Sequence, residues 1–345
     1  MRSGIEKRAL VVLAPSPGIG DFIVRIPAIR LLAGYFRVTV VCPLPMSMRS
    51  FAELVLQEPA VNLVLTGVTY KKSDLAILAG HVLDLLHALK HRITADVCIL
   101  MSDSNSFFGV VKYTAISGLS CRAGIRFAIA PRQGSFPLHE NVVLDENVQK
   151  MKRYFDFAQS VLFRLKIKSR QSWRDYLPQM RTRPAVSLAV LAPGGKWDSQ
   201  RWPYFRELCK WLSSQNLKCV LVGSADEAQL INDMRQLGQE VVAGADLSDV
   251  KAAIERATIV VCNDSGLLHL AVWSGVPVIA ICGPRFAARW TGYPEDRVVQ
   301  LYYDRVPEGR ESARYRAECL SKIGVDRVIS EIKKLNLDLS PKVHT

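Results

Sequence analysis

The sequence predicts an α/β protein made of two Rossmann-like, doubly wound parallel-sheet domains facing a central cleft. Three observations carry that expectation. The chain has 345 residues, more than one ordinary core holds and enough for two domains of about 150 residues each. Short β-branched runs alternate with longer helical stretches almost from end to end, the rhythm of βαβ repeats. The runs are apolar without alternation, as parallel strands covered on both faces require.

In the first half the strand candidates are Leu10–Ala14, Val38–Cys42, Val61–Leu65 and Asp96–Leu100. The stretches between them are long enough for crossover helices, which parallel pairing needs. One helix follows Gly20, a second covers Leu75 to Lys90, and a third, from Val148 to Leu165, closes the half. The pattern weakens between Ala128 and Glu146. Gln171 to Pro184 is polar and basic with two prolines, which marks it as a linker. The rhythm restarts with Val186–Leu191, Cys219–Gly223, Thr258–Cys262 and Val276–Cys282. The expected domains are therefore residues 1–175 and 185–310. A helical tail, 311–345, is broken near Gly324 and is open to packing back on the N-terminal domain.

Composition narrows the function classes. Hydrophobic residues make up 49% and charged residues 22%, the balance of a globular protein. No run approaches the roughly 20 apolar residues of a spanning helix. The apolar stretch Ala9–Ala14 is too short for a signal peptide and ends at Pro15, so the expected location is cytoplasmic. The eight cysteines are scattered without C-x-x-C or zinc spacing, and several lie in apolar strand runs, where a reduced thiol packs as a small core residue. No metal site is expected. The net charge of +13 draws anionic partners. The basic residues are dispersed and lack the aromatic interleaving of single-strand binders, so nucleic acid is not the expected partner. An acidic substrate at an anionic membrane surface fits the charge better.

Ligands of open parallel sheets bind where strand ends pass into helices, and three such loops stand out. Pro15-Ser-Pro-Gly18-Ile-Gly20-Asp21 follows the first strand. Its glycines allow close backbone approach, and the following helix offers N–H groups. It is neither a dinucleotide fingerprint nor a P-loop. Asp21 reads either as a helix-start residue complementing the dipole or as a general base for an attacking hydroxyl. The second loop runs from Ala192 to Pro203 and contains Gly194, Gly195, Lys196, Gln200 and Arg201. Its mobile backbone and two cations suit a diphosphate. Pro203 is placed as the first residue of a helix to Leu212, and Trp202 packs in the core or frames the pocket. The third is Cys262-Asn-Asp264-Ser265-Gly266-Leu267-Leu-His269. Ser265, Gly266 and Leu267 would open a helix and bind an anion through backbone N–H groups. Asp264, which repels phosphate, is better suited to sugar hydroxyls. His269 faces either the site or a neighbouring strand, with a satisfied structural role the simpler reading.

At these residues the sequence resembles the family 9 glycosyltransferases, the heptosyltransferases of the lipopolysaccharide inner core. The resemblance rests on Gly18-Ile-Gly-Asp-Phe with the Pro27 helix, on Pro193-Gly-Gly through Arg201-Trp-Pro, and on Asn263 to Ala271 running on to Gly283-Pro284. A weaker echo is Cys319-Leu-Ser-Lys-Ile-Gly-Val-Asp-Arg-Val. It implies a GT-B fold, with acceptor held by the first domain and nucleotide sugar mainly by the second. It also implies inverting transfer with no obligatory metal or cofactor, ADP-heptose being the expected donor. Asp21 matches the family's catalytic base, Asp264 the acid contacting the donor sugar, and Ser265, Gly266 and Leu267 the diphosphate-binding helix start. One position departs: a lysine that often precedes the Arg/His-Trp-Pro triplet is Gln200 here, leaving Lys196 or Arg201 to hold phosphate. The resemblance and the charge together imply an anionic glycolipid acceptor, reached by peripheral contact at the cytoplasmic face of the inner membrane. Another sugar or acceptor, a nucleotide-sugar 2-epimerase, and a binding protein without catalysis are the competing readings.

Overall fold

The computed structural model describes residues 7–13, 18–42, 44–45, 48–65, 93–101, 115, 118, 121–122, 124–130, 139–145, 148–181, 188–215, 217–235, 240–244, 246–284, 292–303 and 312–335. The chain forms two units that divide between Tyr176 and Leu177. Each is built on a six-stranded, all-parallel sheet.

In the first unit β1 (Arg8–Leu13) leads through α1 (Ile19–Ile23) and α2 (Ile26–Ala33) to β2 (Arg37–Cys42). Then come α3 (Arg49–Leu56), β3 (Val61–Leu65), β4 (Ile93–Thr94), β5 (Val97–Met101), β6 (Cys121–Arg122), β7 (Ile125–Ala130), β8 (Glu140–Val143) and α4 (Lys150–Arg164). The sheet order is β3-β2-β1-β5-β7-β8, with β4 and β6 forming a separate parallel pair. The one helix expected after Gly20 is two. Pro27 stands at the start of α2, where its missing N–H is tolerated. The end of β7 and all of β8 fall in the stretch where the sequence pattern weakens. The helix expected over Leu75–Lys90 lies outside the described residues.

In the second unit β9 (Leu188–Ala192), α5 (Phe205–Ser214), β10 (Lys218–Gly223), α6 (Ala228–Arg235), β11 (Glu240–Ala243), α7 (Leu247–Glu255), β12 (Ile259–Asn263), α8 (Gly266–Trp273), β13 (Val278–Pro284) and β14 (Val298–Tyr303) follow in turn, closed by α9 (Ala313–Ser321) and α10 (Val325–Lys334). The order β11-β10-β9-β12-β13-β14 repeats the first unit's pattern. In both, the connections leave the starting strand first to one side and later to the other, the doubly wound plan with its switch point beside that strand. The central strands β9 and β12 are buried along their whole length.

One expectation is corrected here: Pro203 lies in the turn before α5 rather than as its first residue. The tail gives Leu320, Ile323, Val328 and Ile332 to the second unit's core beside Trp202 and Phe205. The reason is apolar spacing: Val328 and Ile332 lie one turn apart on α10 and bury the same face. Trp202 is a core residue, 2% exposed, and its indole N–H donates to the Ile323 carbonyl at 2.6 Å. Within the expected linker, Trp173–Tyr176 forms a 3-10 turn with Trp173 buried. Among the described residues, seven cysteines are buried and outside any disulfide.

Candidate functional site

The second unit's switch point lies between β9 and β12, whose last paired residues are Ala192 and Cys262. The next residue of β12, Asn263, is completely buried. Its Nδ2 donates to the carbonyls of Pro193 and Gly194, both at 2.9 Å. Its Oδ1 accepts the Trp202 N–H at 3.0 Å. One side chain thus fastens both ends of the 193–202 loop to the end of β12, satisfying backbone groups that burial would otherwise leave costly. The sequence reading quoted Asn263 without giving it a role.

A Cβ on Gly194 would overlap the Glu227 carboxylate, which would have to move to admit it. That carboxylate is held by the Ser224 N–H, which donates to Oε2 at 2.8 Å. A fixed acid therefore stands at the carboxyl ends of β9 and β10, a residue that sequence reasoning missed; its available signal was the Gly223-Ser-Ala-Asp-Glu227 run directly after a strand. Gly195 is buried beside it. The polar residues of the loop look outward. Lys196 is exposed, with Nζ 5.3 Å from the centre of the Trp197 ring. Arg201 pairs with Asp198 at 2.6 Å and reaches the Gly195 carbonyl at 3.5 Å. Gln200 ends a 3-10 turn, Asp198–Gln200, and is half-buried.

Beyond Asn263 the chain turns into α8. Ser265 is its N-cap in an extended conformation, and the helix carries no acidic residue in its first turn. The N–H groups that open a helix have no acceptor within it, and the dipole favours an anion there. Ser265 Oγ is shielded from solvent and has no hydrogen-bond partner among the described residues, an unusual state for a buried hydroxyl. Gly266 and Leu267 are half-buried. Asp264, immediately before this helix start, has its carboxyl pushed up to about 6 by burial, against the opposing pull of the Arg316 charge. His269 is buried, with Nδ1 2.5 Å from the Tyr293 hydroxyl. Burial, and next the Asp264 charge, push the Tyr293 phenol well up. The structure therefore gives His269 a satisfied partner 24 residues away.

Asp21 lies in the first turn of α1, three residues after the N-cap Gly18, and is half-buried; Gly20 is buried. The guanidinium of Arg25 donates to the Asp21 carbonyl. Arg25 is itself buried, with its charge 4.5 Å from the centre of the Tyr154 ring of α4. Helix α1 is thereby braced at its far end on the core. Gly18, Gly20 and Asp21 belong to the first unit, and the other site residues named from the sequence belong to the second. Within the second unit the structure gathers Gly194, Gly195, Asp264, Ser265, Gly266 and Leu267 around one switch point. Among the described residues no group of three or more His, Cys, Asp or Glu is arranged to hold a metal ion.

The model of glycosyltransferase family 9 (heptosyltransferase) matches residues 89–315. Lipopolysaccharide heptosyltransferase 2 of Salmonella typhimurium is 29% identical over 162 residues, 43% of this chain and 46% of the relative. Lipooligosaccharide heptosyltransferase 2 of Haemophilus influenzae is 34% identical over 103 residues, 27% of this chain and 30% of the relative. The matched segments thus span less than half the length of these relatives. Among solved structures, E. coli ADP-heptose lps heptosyltransferase II superposes with a TM-score of 0.65 at 21% identity, covering 95% of this chain and 98% of that one. E. coli heptosyltransferase WaaC with ADP gives 0.67 at 18% identity, covering 95% and 99%. At these identities the likeness is one of fold, and the fold is GT-B.

Proposed function

The chain belongs to glycosyltransferase family 9 (heptosyltransferase), and from that premise we propose that it moves a heptosyl group from ADP-heptose to a hydroxyl of a lipopolysaccharide-core acceptor. The observation that carries the reading is the α8 helix start: an unpartnered Ser265 Oγ beside helix N–H groups, with Asp264 next to it. A diphosphate supplies acceptors for the hydroxyl and the N–H groups, and sugar hydroxyls supply donors for the carboxylate. The relative solved with ADP supports the choice of nucleotide. The Glu227 carboxylate, packed over Gly194, offers a second acceptor for donor hydroxyls.

The transfer is a single in-line displacement. The acceptor oxygen attacks the anomeric carbon, the bond from that carbon to the diphosphate oxygen breaks, and Asp21 takes the acceptor's proton. The electron pair leaves with the nucleotide diphosphate, whose growing charge is met by the Ser265–Leu267 N–H groups. The mechanism requires the two units to bring Asp21 to the anomeric carbon. No metal or cofactor is assigned a part in it. The acceptor is an anionic glycolipid, matching the net charge of +13, met at the cytoplasmic face of the inner membrane. No helix among the described residues is long and apolar enough to cross a membrane.

Thermal stabilisation against nucleoside diphosphates and their sugars tests the donor. A ligand at a hundred times its Kd adds about 2.7 kcal/mol, and selective stabilisation by ADP and ADP-heptose is the expected result. Preference for another nucleotide would replace the donor, with Gln200 in place of the usual lysine as the first position to exchange. Conversion of donor without acceptor would replace transfer by epimerisation.

A further inference from the structure

Helix α9 packs on the 3-10 turn Asp198–Gln200 and across β13. Its close approach depends on Gly283, which has φ +72° at an irregularity in the pairing of β13 with β14. A Cβ on Gly283 would sit 3.2 Å from Leu320 Cγ and 3.7 Å from the Arg316 carbonyl. The backbone of Arg316 therefore lies against the carboxyl end of β13. The adjacent strand is β12, about 4.8 Å away across the sheet, and its end carries Asp264. Arg316, Cys319 and Leu320 share one face of α9 by their spacing of three and four. Cys319 and Leu320 are buried and Arg316 is half-buried, so the arginine belongs to the face turned toward the sheet. Its charge counters the rise that burial imposes on the Asp264 carboxyl. Among the described residues, Arg201 pairs with Asp198, and Lys196 stands exposed on Trp197.

We propose that Arg316 is a donor-diphosphate residue, reaching from α9 over Gly283 to lie between the Asp264 carboxylate and the phosphates held at the α8 helix start. The proposal rests on the reading that a nucleotide-diphosphate sugar occupies Asp264–Leu267. Placing a diphosphate next to a carboxylate sets like charges together, and a cation between them removes the conflict. A guanidinium suits the place because its five N–H groups fan out in one plane and serve two anions at once. As the bond to the anomeric carbon breaks, charge accumulates on the departing diphosphate. Arg316 then interacts more strongly than in the ground state.

The test uses the full chain and its Arg316→Gln and Arg316→Lys variants. Calorimetry measures binding of adenosine and of whichever of ADP, UDP, GDP and CDP binds the unsubstituted protein best, adenosine being replaced by the matching nucleoside. Loss of a charge-assisted hydrogen bond weakens the diphosphate by about 10- to 100-fold in Arg316→Gln, while nucleoside affinity stays within about twofold. Arg316→Lys keeps the charge without the planar fork, so it recovers part of the loss, and it carries the test should the glutamine variant fold poorly. Unchanged diphosphate affinity in both variants overturns the proposal. So does an equal loss of nucleoside and diphosphate, the pattern of a structural defect alone. Absence of binding by every nucleoside diphosphate to the unsubstituted protein defeats the donor-site reading itself, a result seen before any substitution is made.

Discussion

Replacing Asp264 by asparagine should make the donor-free protein more stable at neutral pH while removing a donor contact. Burial lifts the Asp264 carboxyl from 3.8 to about 6 even with Arg316 opposing it. The folded state therefore holds this proton more tightly than the unfolded chain does. The resulting stabilisation is fully present below about pH 4, declines as pH rises, and is gone above the folded value near 6. At 1.36 kcal/mol per pH unit, the whole effect is about 3 kcal/mol. Asparagine does not ionise, so the stability of Asp264→Asn relative to the parent should rise by about that amount between pH 4 and pH 7. For a unit of about 170 residues, this corresponds to a relative midpoint change of roughly 6–12 °C. Thermal unfolding of both proteins, followed across that pH range without ligand, measures it, and groups that titrate identically in both cancel in the difference. A constant difference from pH 4 to pH 7 would refute the reasoning, because it would mean that Asp264 titrates alike in folded and unfolded chains.

Asp21→Asn should leave nucleotide affinity unchanged and reduce transfer by about 10²- to 10⁴-fold, as read by donor binding and initial rate in parallel. Normal transfer by a folded, donor-binding variant would remove Asp21 from the role of base. Asn263→Ala deletes three hydrogen bonds at a buried position and should cost roughly 2–4 kcal/mol, seen as a lowered midpoint with weakened nucleotide binding. Gly194→Ala places a methyl on the Glu227 carboxylate and should lower both stability and donor affinity; Gly194→Ala combined with Glu227→Ala should recover part of the stability if that overlap is the cause. Trp202→Phe loses the indole bond to Ile323, for about 1 kcal/mol, measurable by denaturant unfolding.

The central architecture was legible because its strands announce themselves. Val190, Leu191, Val260 and Val261 sit in runs buried on both faces, and such runs leave little choice but a covered parallel sheet. The edge strands were harder to read. Glu240–Ala243 is short and half-exposed, and Glu140–Val143 is exposed at both ends, so neither shows a continuous apolar run. The loops after β9 and β12 were readable because glycine and small polar residues directly after a strand are a local signal. Their connection was not. Asn263 meets Pro193 across 70 residues, His269 meets Tyr293 across 24, and the Arg316 backbone lies beside Gly283 only because α9 crosses β13. Side-chain pairings of this kind depend on where helices cross strands, which no run of neighbouring residues encodes. Pro203 misled for a related reason: proline fits the first helical position, yet the turn before α5 suits its fixed φ equally well.

The Trp202 indole bond to Ile323 also bears on how this protein is made. Chains are synthesised from the N-terminus, and domains generally fold as units in that order. The first unit has all of its residues once Tyr176 has been added. The second cannot close its core until Leu320, Ile323, Val328 and Ile332 exist, and its 193–202 loop is fastened through Trp202 to that late-made segment. During synthesis the sheet that starts at β9 therefore keeps an open apolar side until residues more than a hundred positions after Ala192 have been added. The proposed donor site is complete only after its neighbouring helices arrive, so a ribosome stalled before them would present a finished first unit attached to a sticky, unfinished second one.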